Sequence, residues 1–404
     1  MPEPKVRFKK DDGSSYPEWG TSSFSKTFNA LNNNTYSRDM LNYDGGDAKN
    51  IHYGDILVKF GDICDIQKNN IPYVNEGLAI QKYGYLKDGD IILADTAEDE
   101  TVGKAIEIYN IKNDIVISGL HTMAWRPVES FASKYLGHYL NSPAFHNQLK
   151  PYMQGVKVTS IGRANIAKVG VSFPESLEEQ QKIADFLSSV DDVISASEEE
   201  VENLEKQKKA VMKKIFSQEV RFKRADGTEF PEWEKNTIGN LFEISAGGDI
   251  DRDNSTDTYS EKYPYVVYAN ALTNNGLYGY ANYYKVDYDC FTVTGRGDVG
   301  TAVARHEKFV PIVRLLVCKP KGNYDVDYFA NAVNCAKILI ESTGVPQLTA
   351  PQLGQVMVSY PSDFDEQRLI ADFLSDFDEA IAAAKKELEL WKELKKGLLQ
   401  QMFV

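Results

Sequence analysis

Two stretches of this chain are written twice, at two different offsets. Val6, Arg7, Phe8, Lys9, Asp12, Gly13, Pro17, Glu18 and Trp19 recur 214 residues later as Val220, Arg221, Phe222, Lys223, Asp226, Gly227, Pro231, Glu232 and Trp233. Glu179-Gln180 and Ile183-Ala184-Asp185-Phe186-Leu187-Ser188 recur as Glu366-Gln367 and Ile370-Ala371-Asp372-Phe373-Leu374-Ser375, here 187 residues later. The strand-like segment before them repeats at the same offset, Val169 to Pro174 against Val356 to Pro361. The first module therefore holds 27 more residues between its shared ends than the second. Common ends around divergent middles predict a shared scaffold carrying two different working parts.

Each second repeat opens a long helical pattern. One seam runs Ile183, Leu187, Val190, Ile194, Ser197, Val201, Leu204, Lys208, Val211, Ile215, and the other Ile370, Leu374, Phe377, Ile381, Ala384, Leu388, Trp391, Lys395, Leu398, Met402. Alternating steps of four and three over four heptads are the spacing of a coiled-coil seam. Both seams carry a lysine at the same register, Lys208 and Lys395, which either fixes register and orientation or snorkels to the seam edge. Residues 183–215 would span roughly 48 Å as a helix. Matched helices in a duplicated chain are expected to pair antiparallel about an internal pseudo-two-fold axis, in a circular arrangement. The leader ending at Trp19 would then pack on the end of the last helix through Phe8 and Trp19, as Phe222 and Trp233 would on the first.

The middles read as strand-rich α+β domains of one plan. Ile91-Ile92-Leu93-Ala94 and Phe291-Thr292-Val293-Thr294 are short apolar strands, each followed by a loop, a second strand and a helical stretch. Ser142-Pro143 marks one helix start, and residues 326–339 match it in the second half. Gly295-Arg296-Gly297-Asp298-Val299-Gly300 fits the dinucleotide fingerprint in letters only. The residues after it alternate like a strand instead of opening a helix, so a flexible turn presenting Arg296 is the better reading.

Chemistry-bearing motifs are absent. No Pro-Pro, phosphate-loop lysine or recognisable nucleophile context occurs, and Cys64, Cys290, Cys318 and Cys335 form no C-x-x-C pair. These features predict a reduced, cytoplasmic protein with no metal site, no catalytic residue, no membrane span and no signal segment. The net charge of −14 argues against strong autonomous binding to DNA. Half of that excess lies in residues 177–217 and 364–404, which leaves room for basic loops in the middles.

The paired Pro-Glu-Trp leaders ending at Trp19 and Trp233, the Glu179-Gln180 and Glu366-Gln367 motifs, the Ile-Ala-Asp-Phe-Leu helix starts and the duplicated seams together make the chain resemble the specificity subunit of type I restriction-modification systems. That resemblance implies target-recognition domains at 1–176 and 218–363 and spacer helices at 177–217 and 364–404. Each domain would read one half of a split, asymmetric double-stranded DNA target. The helices would set the gap and dock two methyltransferase subunits, and restriction-translocase subunits would join. S-adenosylmethionine, ATP and Mg would belong to those partners, with no cofactor in this chain. Base-contacting residues do not carry over. By side-chain type the loop candidates are Arg38, Lys59, Lys68, Lys104, Lys157 and Arg163 in the first domain, and Arg252, Asn270, Arg296, Arg305 and Gln347 in the second. The alternative is a coiled-coil scaffold that binds protein and never touches DNA.

Overall fold

The computed structural model describes residues 3–80, 83–155, 157–271, 273–336, 338 and 346–404. By internal contacts the chain divides into two compact units, Met1–Glu199 with Lys385–Val404, and Glu200–Ala384. Two long helices, Leu177–Phe216 and Phe364–Met402, each contribute one half to each unit. The sequence-derived boundaries kept each helix whole; the compact units cut both, because each helix half packs with the other helix's opposite half.

In the first unit a five-stranded sheet runs in the order Phe28–Ala30, Thr122–Pro127, Ile91–Ala94, Ala105–Tyr109, Ile63–Asp65. Its central strand is apolar throughout because both faces are covered. Ile91 and Leu93 point into a core shared with the helix Tyr135–Asn141 and the start of Leu177–Phe216, whereas Ile92 and Ala94 point into a separate core with Ile56 and Val116. A second sheet orders Val116–Ser118, Lys49–Ile51, Tyr73–Val74 and Leu41–Asn42.

The second unit repeats the plan in smaller form. One sheet orders Phe242–Ala246, Leu316–Pro320, Cys290–Val293, Ala302–Arg305; the other orders Ser255–Thr256, Leu277–Ala281, Tyr265–Tyr268, Phe309–Pro311. The helix Val326–Cys335 covers the first sheet. Leu339, where the sequence pattern ended this helix, lies outside the described residues. Much of the first unit's extra length is the helix Tyr53–Val58 and the strand Ile63–Asp65, inserted where the second unit has the short 3-10 turn Thr273–Gly276 between Tyr265–Tyr268 and Leu277–Ala281.

The repeated letters build joints. In the first unit Trp19–Ser23 pairs antiparallel with Gly170–Pro174. The fully buried Glu179 accepts from Arg7 Nε at 2.7 Å and from the Trp19 indole N–H at 3.3 Å. Gln180 accepts from the Ala132 N–H at 2.9 Å and donates to the Pro174 carbonyl at 2.7 Å. In the second unit Glu366 takes the same donors, Arg221 Nη2 at 3.0 Å and Trp233 Nε1 at 3.1 Å, and Gln367 joins Asp325 to Pro361.

The leader packing differs in part from expectation. Trp19 meets Phe403, with ring centroids 6.3 Å apart, and Trp233 meets Phe216 at 6.5 Å, both at helix C-terminal ends. Phe8 and Phe222 instead meet Phe186 and Phe373, near helix starts. The reason is Arg7 and Arg221, which hold their neighbours over the buried glutamates at those starts.

Within each unit the helix halves run antiparallel. In the first, Lys395 reaches Asp191 and Lys392 reaches Glu198, so numbers rise on one helix as they fall on the other. In the second, Lys208 reaches Asp378 at 2.5 Å while Ile215 shares a core with Ile370 and Leu374. All the seam positions named above are buried or half-buried.

Candidate nucleic-acid interface

In the second unit three of the five nominated residues, Asn270, Arg296 and Gln347, lie on adjoining loop segments. Asn270 joins two loops with one amide: its Nδ2 donates to the Val313 carbonyl and its Oδ1 accepts from the Gly295 N–H at 2.7 Å. The next residue, Arg296, forms a backbone bridge with Gln347. Gly297 and Gly300 have φ of +72° and +94°, the left-handed values that the glycine spacing anticipated for a turn. Arg305 turns inward. It is buried over the Tyr268 ring at 3.6 Å, donates to Thr292 Oγ1 at 3.2 Å and caps the Asn275 carbonyl. Burial pushes its pKa below the usual arginine value.

Arg296 and Arg252 are exposed, and neither guanidinium has a hydrogen-bond or ion-pair partner among the described residues. Arg252 opens the short turn Arg252–Asn254, four residues beyond Gly248. Arg314 is a third free cation, which the sequence reading missed. It lies between Ile312 and Leu315 in a stretch reading Pro-Ile-Val-Arg-Leu-Leu-Val, with no Gly, Asn, Asp or Pro at its centre to mark a turn. Yet Val313 and Arg314 adopt φ of +52° and +61°.

The first unit distributes its candidates differently. Arg38 Nη1 and Lys59 Nζ each lie 2.9 Å from the buried Asp55, with His52 beside Arg38. Arg163 donates to the Leu31 carbonyl at 2.9 Å and to Asn33 Oδ1 at 3.1 Å, and stacks over Trp125. Lys104 points inward onto the Leu57 and Phe60 carbonyls, at 3.2 and 2.8 Å, and burial lowers its pKa. Lys104 and Arg305 are therefore corrected from loop cations to internal ties. The physical reason is the same for both: a nearby bare carbonyl claims the donors. Lys68 and Lys157 are exposed loop residues; Lys68 lines the same groove as Asp62, Asp191 and Lys395.

A charged group not foreseen from sequence sits where the first domain meets its helix pair. Asp62, His138 and Asp191 offer ligand atoms within 4.8 Å of one another, and Lys395 Nζ stands 2.6 Å from both carboxylates. Burial pulls the Lys395 pKa down, but Asp62 and Asp191 outweigh it and leave the ammonium above its ordinary value. No motif announces this cluster, because its members come from four separate segments.

A family model described as the type I restriction modification DNA specificity domain matches residues 46–206 and again 231–390. A Methanocaldococcus jannaschii protein named as a type I restriction enzyme specificity subunit is 26% identical over 362 residues, covering 79% of this chain and 82% of that one. A Mycoplasma pneumoniae protein named as a type I specificity subunit is 25% identical over 247 residues, 60% of this chain and 66% of that one. The crystal structure of a type I restriction-modification S subunit from M. genitalium superposes with a TM-score of 0.60 at 14% identity, covering 100% of this chain and 99% of that one. A chain from a structural study of type I complex assembly and conformational transition gives 0.55 at 14% identity, covering 95% and 97%. At such identities the structural likeness shows a shared fold.

Proposed function

Because the chain belongs to the type I restriction-modification DNA specificity family, we propose that it reads a bipartite, asymmetric double-stranded DNA target, one half with each strand-rich domain. The observation that carries this reading is that the family model matches twice, once per module, around loops whose residues differ between the two. The paired helices set the distance between half-sites and dock two methyltransferase subunits, and restriction-translocase subunits complete the assembly. S-adenosylmethionine, ATP and Mg act in those partners; this chain contributes no reacting group. No helix among the described residues is long and apolar enough to cross a membrane.

The acid excess accords with this division of labour. Phosphate neutralisation supplies much of DNA-binding energy, and a chain at −14 needs basic partners to supply it. Purified alone, the chain should bind DNA weakly and transfer no methyl group; with its methyltransferase subunit it should bind tightly and specifically. Replacing residues 20–165 with those of a relative should change one half of the methylated motif and leave the other intact. Both halves changing together would refute independent reading. Absence of any DNA binding with the partner present would favour the protein-only scaffold.

A further inference from the structure

The turn at Val313 and Arg314 is costly and deliberately held. Two consecutive non-glycine residues occupy the left-handed region, and one is β-branched, the residue type that tolerates it least. Leu315 N–H closes the turn on the Ile312 carbonyl at 3.0 Å. Three neighbours keep it shut. Val313 and Arg314 donate their N–H groups to Gly248 and Gly247 at 2.9 and 3.0 Å, and Asn270 grips the Val313 carbonyl. Gly247 cannot carry a side chain, since a Cβ there would lie 2.7 Å from the Pro311 backbone. A Cβ on Gly295 would lie 2.9 Å from the Leu348 carbonyl and 3.2 Å from the Arg314 carbonyl, which places the Arg296 loop against this turn.

The backbone of the turn is tied into the molecule, but the Arg314 side chain is not. Arg314 is exposed, and its guanidinium has no hydrogen-bond or ion-pair partner among the described residues. The chain holds 59 acidic and 45 basic residues, and among the described residues Arg314 forms no ion pair with any of those acids. Other arginines have partners: Arg7, Arg38, Arg126, Arg221 and Arg224 are paired with carboxylates, Arg368 lies 3.9 Å from Asp372 on its own helix, and Arg163 and Arg305 donate to carbonyls. Those left free here, Arg252, Arg296 and Arg314, all lie in or beside the segments that meet at this turn.

The first unit keeps the same slot and fills it differently. Its strand Val116–Ser118 pairs parallel with Lys49–Ile51, as Phe309–Pro311 pairs with Tyr265–Tyr268. Its strand Thr122–Pro127 pairs with Ile91–Ala94, as Leu316–Pro320 pairs with Cys290–Val293. The turn between those elements carries His121 at φ +53°, half exposed and 3.1 Å from Asp95. One backbone position, left-handed in both units, presents a different donor side chain in each.

We infer that this turn residue is a specificity-determining position, and that Arg314 reads a guanine in the half-site taken by the second unit. The planar guanidinium fork matches guanine O6 and N7 in the major groove, a pairing an ammonium cannot reproduce. The inference rests on the DNA-reading function proposed above. Its test uses the chain co-expressed with its methyltransferase subunit, with methylated genomic sites mapped by sequencing for wild type, Arg314→Gly and Arg314→Lys. Glycine relieves the left-handed turn, so Arg314→Gly should melt at or above the wild-type temperature. It should still lose discrimination at one guanine of one half-site, by about 10- to 100-fold, with the other half unchanged. Arg314→Lys keeps charge and backbone, and should relax the same base pair. An unchanged motif with unchanged discrimination in both variants would overturn the inference, as would Arg314→Gly melting well below wild type. A wild-type complex with no fixed motif would instead overturn the DNA-reading proposal itself.

Discussion

Lys395 Nζ lies 2.6 Å from Asp62 Oδ2, joining the last turns of the second long helix to a loop of the first domain. The same ammonium is 2.6 Å from Asp191, and His138 Nδ1 is 3.1 Å from Asp62. Its repeat-mate Lys208 pairs with Asp378, whose side chain is 59% exposed. Identical letters at one register thus do unequal work.

Lys395→Met should leave the buried Asp62 carboxylate facing the partly exposed Asp191 with no ammonium between them. Breaking a buried pair from one side costs about 3–5 kcal/mol, whereas an exposed pair such as Lys208–Asp378 is worth about 0–1 kcal/mol. Denaturant titration of both variants should show the first losing several times more stability than Lys208→Met. Equal losses would contradict the distinction.

The buried Glu179 makes a sharper double-mutant test. Arg7→Met strands its carboxylate at zero exposure, and a loss of about 3–5 kcal/mol is expected. Arg7→Met with Glu179→Leu removes both charges and should recover a large part of that loss. Arg221 and Glu366 should behave likewise in the second unit. A double variant no more stable than Arg7→Met alone would show that the joint depends on shape and the Trp19 hydrogen bond, not on charge pairing.

Glu107 gives the first unit a pH signature. Burial pushes its carboxyl up to about 7, while the N–H groups of Gly137 and Lys134, at 3.0 and 2.6 Å, act against that rise. A folded-state pKa above the unfolded one means the folded protein binds the proton more tightly. The contribution is fully present below about pH 4.5 and is lost as pH rises through about 7. The change amounts to roughly 3 kcal/mol. Unfolding free energy measured from pH 5 to 8 should fall, and Glu107→Gln should flatten that slope. An identical slope in the variant would exclude Glu107 as its source.

The leader and the last helix form one junction, Val6 N–H donating to the Gln401 carbonyl at 3.1 Å. Val220 N–H does the same to Lys214 at 3.3 Å. A circular permutant that joins residue 404 to the leader by a short linker and opens between residues 217 and 220 should therefore fold, since a break at an exposed junction costs little. Circular dichroism and a cooperative melt would check it. Failure to fold would mean the connection after Phe216 carries structure that the leader at Val6 lacks.

The helical seams, the two-module plan and the shared joints were all legible in the letters. Spacing of apolar residues is a local property, and a four-three pattern over four heptads leaves few other ways to bury Leu187, Ile194 and Leu374. The Pro-Glu-Trp and Glu-Gln repeats were legible as scaffold for the same reason, although their use, Trp19 and Arg7 closing on Glu179, was not. What tertiary structure alone decided was the fate of the polar side chains. Lys104 and Arg305 look like loop cations in sequence, and bare carbonyls 44 and 30 residues away draw them inside. Arg314 sits in an apolar stretch that reads as continuous strand, and only Gly247, Gly248 and Asn270, brought together by two sheets, force the turn that exposes it. A side chain's environment is set by neighbours distant in sequence, so composition and periodicity could nominate cations but could not tell a spent one from a free one.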